Sequence, residues 1–352
     1  MEEIKKMKTR NYALDLLKIL ATSFIVLYHY EEGTQYAAFK FVSFYGGKFP
    51  FGNFVELFFI ISGYFTFVYV QKIQQGLEFR KFITKRYFRL VPMLAIGVFL
   101  ETVIYLIRNC MGAENDLNFL RVVLNMLGIQ TGWVTITQPI NGPSWYISVL
   151  LFCYIVFYTV TWISKRLEVS PYKFYVAIIL VGVMIRTYGI QMAFLNMTMA
   201  RGYITFFIGV ILARIINYEN ENGRKRLLYL SYIALIAFAL IFILKFSFIQ
   251  NDLYYVLDFI VWPAFVVICC MGKIARALNC PVIGTISAIS FNTYIMHEPL
   301  TAFRNLIMII LKLEPSILCS AYYELIFLGF AWLVGTFFYF VVERKISMKC
   351  NV

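Results

Sequence analysis

Ten stretches of the chain are almost continuously apolar. They lie at about residues 14–30, 53–71, 88–107, 145–163, 174–190, 202–218, 227–247, 253–271, 283–311 and 321–342. A helix needs about 20 apolar residues to cross the hydrocarbon of a bilayer. Unbroken apolar runs, in place of apolar–polar alternation, predict helices and exclude a porin-type barrel. The pattern predicts an all-α, polytopic integral membrane protein of about ten transmembrane helices, built as one membrane domain over residues 1–352. The ninth run is long and holds Pro299, which predicts a kinked or broken helix. The longest connector, residues 109–144, is too short for a second catalytic domain. The polar, basic residues 1–11 precede an apolar run with no small-residue cleavage site after it, and so predict an uncleaved first span.

Composition agrees. Apolar types make up 61% of the chain, charged types 14%, and the mean hydropathy is +0.73. Soluble chains average roughly 45–50% apolar and about 25% charged. A soluble enzyme, a disordered chain, a secreted disulfide scaffold and a collagen-like chain are thereby excluded. The net charge of +13 (32 Lys and Arg against 19 Asp and Glu) would in a soluble protein suggest a nucleic-acid partner. Here it is a topology signal. With the N-terminus in the cytoplasm and ten crossings, Lys and Arg favour the cytoplasmic segments by about three to one. Both termini are then cytoplasmic, with short basic tails at 1–11 and 343–352, the bilayer is the partner, and no nucleic acid is expected. Most of the cysteines (Cys110, Cys153, Cys269, Cys270, Cys280, Cys319, Cys350) fall in or beside apolar runs without metal-ligand spacing, as small hydrophobes do. No metal is expected.

Ionisable residues inside a span cost several kcal/mol unless paired or facing a cavity, and mark function by default. The spans hold Asp15, Lys18, His29, Glu56, Glu101, Arg186, Asp258, His297, Glu298, Arg304 and Glu324. At about 100° per residue, Asp15, Lys18, Thr22 and His29 share one face of the first helix. Asp15 and Lys18, three apart, can pair, whereas His29 lies about 16 Å farther along the axis. Glu56, near the outer end of the second span, shares the depth of His29, which predicts a His–carboxylate pair that orients the ring. The segment 71–89 is the most basic, with Lys72, Arg80, Lys81, Lys85, Arg86 and Arg89. It reads either as a topology anchor or as a site for a phosphate-bearing donor.

These residues fall in motifs that resemble those of the acyltransferase family 3 membrane proteins. Leu14-Asp15-Leu16-Leu17-Lys18, with Ala21 and His29, looks like the first-helix signature. Phe58-Phe59-Ile60-Ile61-Ser62-Gly63-Tyr64, preceded by Glu56, looks like the second. Lys85-Arg86-Tyr87-Phe88-Arg89-Leu90-Val91-Pro92 resembles the third, and Ser144-Trp145-Tyr146-Ile147 the Trp motif opening the fourth span. Phe206-Phe207-Ile208-Gly209 and Tyr294-Ile295-Met296-His297, with Pro299, resemble the later motifs. The likeness runs in order from about residue 11 to 342.

The resemblance implies a membrane-bound acyltransferase of the cell envelope, most commonly bacterial. It would move an acetyl or other acyl group from cytoplasmic acyl-CoA to a hydroxyl of an extracytoplasmic carbohydrate. It implies His29 as the catalytic histidine, acting as general base or briefly acylated nucleophile, with Glu56 beside it. Arg86 and Arg89 match the family's donor-binding arginines. Lys18 stands where an arginine is usual, keeping the charge but not the planar fork. Trp145, Tyr294 and His297 are candidates for lining the substrate path, His297 also for acid–base or packing work. Residues 148–151 lack the glutamate many members carry there. The rival class is a transporter or flippase, since buried charges and a broken helix also suit alternating access.

Overall fold

The computed structural model describes residues 10–37, 39, 42–112, 117–133, 138–244 and 250–346. Among these, no strand forms beyond an isolated bridge between Met192 and Leu195. The basic tails expected at 1–11 and 343–352 lie mostly outside the described residues.

Helix α1 (Tyr12–Thr34) starts where the Asn11 side chain accepts the amides of Ala13 and Leu14, and it ends at Gln35 in the left-handed region (φ 54°). A 3-10 turn (Phe51–Asn53) leads into α2 (Phe54–Thr66), followed by α3 (Tyr69–Gln74), α4 (Phe79–Cys110) and α5 (Phe119–Met126). A second 3-10 turn (Gly142–Ser144) opens α6 (Trp145–Arg166). Then come α7 (Pro171–Tyr188), α8 (Met197–Tyr218), α9 (Glu221–Ile243) and α10 (Gln250–Val256). A π-helical turn (Leu257–Val261) joins α10 to α11 (Trp262–Met271), and α12 (Lys273–Ala277), α13 (Pro281–Ile310) and α14 (Ala321–Phe338) complete the chain. Asparagines recur at helix starts: Asn118, Asn196 and Asn220 each accept a first-turn amide, the bond that satisfies an otherwise orphan donor.

All ten apolar runs thus carry helix. Among the described residues, seven helical segments are long and apolar enough to cross a membrane. Helix α2 has 13 residues, about 20 Å by helical rise. Helices α7 and α13 fall outside the seven, and α13 carries Asn292, His297, Glu298 and Arg304 along its length.

One expectation changes. Pro299 does not break the ninth run, because α13 is one helix from Pro281 to Ile310. A proline frees the carbonyl four residues earlier, and Asn141 donates to that carbonyl, Ile295 O, at 3.0 Å. The eighth run is likewise one helical segment, Asp252–Met271, with a π turn that carries Asp258 inside it, and such turns are frequent at functional sites. The 109–144 connector contains α5.

Helices α2 and α8 cross in close backbone contact. A Cβ on Gly63 would lie 1.9 Å from Phe206 O, and one on Gly209 would lie 2.1 Å from Ile60 O. Both glycines sit in the second- and sixth-span motifs, so the motif glycines serve backbone approach, as small residues do between membrane helices. We expect Gly63→Ala or Gly209→Ala to destabilise the protein by about 1–3 kcal/mol, seen as a lower unfolding temperature of the purified protein. Gly329→Ala, where nothing lies within 4 Å, should leave it unchanged.

Candidate active site

At the N-terminal end of α1, Asp15 gathers three partners. Arg10 Nε donates to Asp15 Oδ2 at 2.6 Å, Lys18 Nζ to Oδ1 at 3.1 Å, and Ser287 Oγ of α13 to Oδ1 at 2.7 Å. Arg10 also donates to the Gly284 carbonyl. The expected Asp15–Lys18 pair is therefore present, and Lys18 Nζ lies 5.2 Å from the centre of the Phe65 ring.

The two arginines of the third motif part company. The Arg86 guanidinium sits 3.6 Å from the Phe82 ring, 4.2 Å from Tyr69 and 4.9 Å from Tyr154. It donates to Phe82 O at 2.9 Å. Such an aromatic cage holds the charge by its ring faces. Arg89 is exposed and interacts electrostatically with Lys18, Arg86, Tyr146 and Glu343. Lys18, Arg86 and Arg89 thus form one basic group drawn from α1 and α4.

At the other end of α1 lies a second cluster. His29 Nδ1 is 2.8 Å from Glu32 Oε2, one turn farther along the same helix. The His29 ring is 5.3 Å from the His297 ring, tilted by 32°, so α1 and α13 bring the chain's two histidines side by side. His29 has 22% of its side chain exposed, whereas His297 has none. The backbone of Thr293 and Tyr294, one turn back on α13, faces the His297 ring, and its Nε2 lies 3.9 Å from Glu298 Oε2. Glu298 in turn interacts electrostatically with His29, Glu32 and Arg304, and with the buried Glu101 of α4. Glu101 Oε1 accepts the Tyr105 hydroxyl at 3.2 Å.

Glu56 does not pair with His29. It is fully buried and gripped by Arg201, whose Nε meets Oε1 and whose Nη2 donates to Oε2 at 3.0 Å. The reason is geometric. The first residues of α8 lie beside α2, and a planar guanidinium matches both carboxylate oxygens, while His29 finds its own carboxylate within one helical turn. Arg201 also stacks on Trp145, 4.2 Å from the ring centre. A second buried pair, Arg186 Nη1 to Asp258 Oδ2 at 2.7 Å, lies within electrostatic range of Arg201 and Glu56 through Asp258.

Tyr294 links the clusters. Its hydroxyl donates to Pro143 O at 2.7 Å. Its ring meets Phe58, Tyr146 and, at 6.1 Å, His297, and it interacts electrostatically with Arg201 and Glu56. Tyr294 therefore lies beside His297 and within electrostatic range of Glu56 and Arg201, Trp145 stacks under Arg201, and Glu56 does not touch His29.

Reading the sequence missed Glu32 and Arg201. Glu32 falls just past the first apolar run, and Arg201 just before the sixth, where both look like connector charges. The i, i+3 spacing of His29 and Glu32 was the available signal; nothing local marks Arg201 as the partner of Glu56. No group of three or more His, Cys, Asp or Glu suited to a metal occurs among the described residues.

The family model described as an acyltransferase domain matches residues 11–342. Neither a curated protein nor a solved structure matches the chain. The chain belongs to this acyltransferase family, in agreement with the motif resemblance, and is a multi-pass membrane protein.

Proposed function

We propose that this member of the acyltransferase family carries an acetyl group from cytoplasmic acetyl-CoA, or a related acyl-CoA, to a hydroxyl of an extracytoplasmic carbohydrate. In this reading it is an O-acyltransferase of a bacterial cell membrane, with ten crossings and both termini in the cytoplasm. Lys18, Arg86 and Arg89 bind the donor's phosphates. Trp145, Tyr294 and His297 line the way to His29, which acts as general base. The observation that carries the reading is the placement of a basic group at one end of α1 and a histidine pair at the other, within a chain that matches an acyltransferase family over nearly its full length.

The chemistry follows from this layout. His29 takes the proton of the acceptor hydroxyl as that oxygen bonds to the thioester carbonyl carbon. The carbon–sulfur bond breaks, CoA leaves as the thiol after taking up a proton, and the ester remains on the acceptor. The long pantetheine arm of CoA suits a donor whose phosphates and thioester sit at different depths.

The test is label transfer. Purified protein in vesicles, given acetyl-CoA labelled in the acetyl group outside and a glycan inside, should place label on the glycan. Movement of unmodified glycan without label would overturn the reading in favour of a transporter. Arg89 allows a sharper check, because it is exposed and Arg86 is caged. A charge-assisted hydrogen bond contributes about 1.5–3 kcal/mol. Arg89→Glu should therefore raise the apparent KM for acyl-CoA about tenfold or more and leave the acceptor KM in place. Unchanged donor dependence would make the segment a topology anchor only.

A further inference from the structure

Among the described residues, four groups face His29. Tyr28 meets its ring edge-on at 5.1 Å and Glu32 accepts at Nδ1, both from α1. His297 and Glu298 approach from α13. Of these, Glu32 makes the hydrogen bond, at 2.8 Å. Glu56, the acidic residue that the second-span motif offers for the task, is held on both oxygens by Arg201.

We infer that Glu32 is the positioning residue of His29, and that its carboxylate leaves Nε2 as the nitrogen that takes the acceptor's proton. A carboxylate oxygen accepts and does not donate, so the ring nitrogen facing it carries the hydrogen. In a neutral imidazole the other nitrogen then holds the lone pair. The carboxylate also stabilises the imidazolium formed when Nε2 takes a proton, the work an orienting acid does in hydrolytic triads. Helical spacing supplies the geometry at little entropic cost. Residues three apart are neighbours on a helix surface, and the cap at Gln35, whose amide bonds to Glu31 O, holds this last turn. Glu32 is about two-fifths exposed. Replacing it strands no buried charge, so the variants are expected to fold.

This inference rests on the acyltransfer reading for its chemistry, and its test separates the two. The chain has only two histidines, so protein labelled with nitrogen-15 histidine gives two ring systems, told apart by a His297→Gln variant. In the wild type, His29 should show hydrogen on Nδ1 and a bare Nε2. Glu32→Ala should abolish the dominance of that tautomer, and Glu56→Gln should preserve it. In label-transfer assays Glu32→Ala should lower kcat about 100-fold, the low end of what a general base contributes, with both KM values within about twofold. Glu32→Gln, which keeps an accepting oxygen without the charge, should fall between. Hydrogen on Nε2 in the wild type, or an Nδ1–H tautomer that survives Glu32→Ala, would overturn the inference. So would a lost tautomer with unchanged kcat. A tautomer set by Glu32 in a protein that transfers no label would leave the positioning intact and sink the acyltransfer reading.

Discussion

His29→Ala is expected to abolish acyl transfer while the protein remains folded and inserted. The general base of a proton transfer contributes typically 10²–10⁴-fold to the rate, so the residual rate should fall at least about 100-fold, whatever the acceptor concentration. Preservation of the fold follows from where the side chain sits. It lies in the last turns of α1, about one-fifth exposed, and its hydrogen bond is to a partly exposed carboxylate. Truncation there leaves no unpartnered buried charge, the usual origin of a large loss of stability. His297 makes the informative contrast. It is fully buried among Tyr294, Glu298 and His29, so His297→Ala opens a cavity and should lower both the unfolding temperature and the rate. Label transfer in vesicles and thermal unfolding of the same samples separate the two variants. Wild-type transfer by His29→Ala would make this ring a packing residue and place the base elsewhere.

The sequence made some of this legible and concealed the rest for physical reasons. Runs of apolar residues set the helices, because a bilayer leaves the backbone no other way to satisfy its polar groups. The Asp15–Lys18 pair was legible because its partners share one helical turn. So was the grouping of Lys18 with Arg86 and Arg89 as a candidate, through their motifs. Tertiary pairings were not. Depth placed Glu56 near His29, and the two do share a region. Depth says nothing, however, of azimuth, and it was azimuth that turned Glu56 toward Arg201 on α8. The meeting of His29 with His297 had the same character. The two residues lie 268 positions apart in the chain, and only the packing of α13 on α1 brings the rings together. Of the two alternatives at Pro299, a kink or a break, the break does not occur. The broken hydrogen bond the proline implies is real, but Asn141, from a distant connector, takes the freed carbonyl and lets the helix continue.

Arg201→Ala is expected to produce the largest loss of stability of any single substitution near the site. Glu56 is fully buried and both its oxygens are held by that guanidinium. Removing one partner of a buried pair leaves an uncompensated charge and costs about 3–5 kcal/mol. The loss should spread, since Arg201 also stacks on Trp145 and interacts with Asp258, itself bonded to Arg186 in the π turn. Adding Glu56→Gln to Arg201→Ala removes the stranded charge, so the double variant should be more stable than Arg201→Ala alone, an interaction a double-mutant cycle isolates. Under the proposed function, activity should not return with stability, because Trp145 has lost the cation stacked on its ring. Thermal unfolding and label transfer on the three variants give both halves of the test. Equal stability of Arg201→Ala and the double variant would mean that Glu56 finds another partner or a proton in place of Arg201, and that the pair is dispensable to the fold.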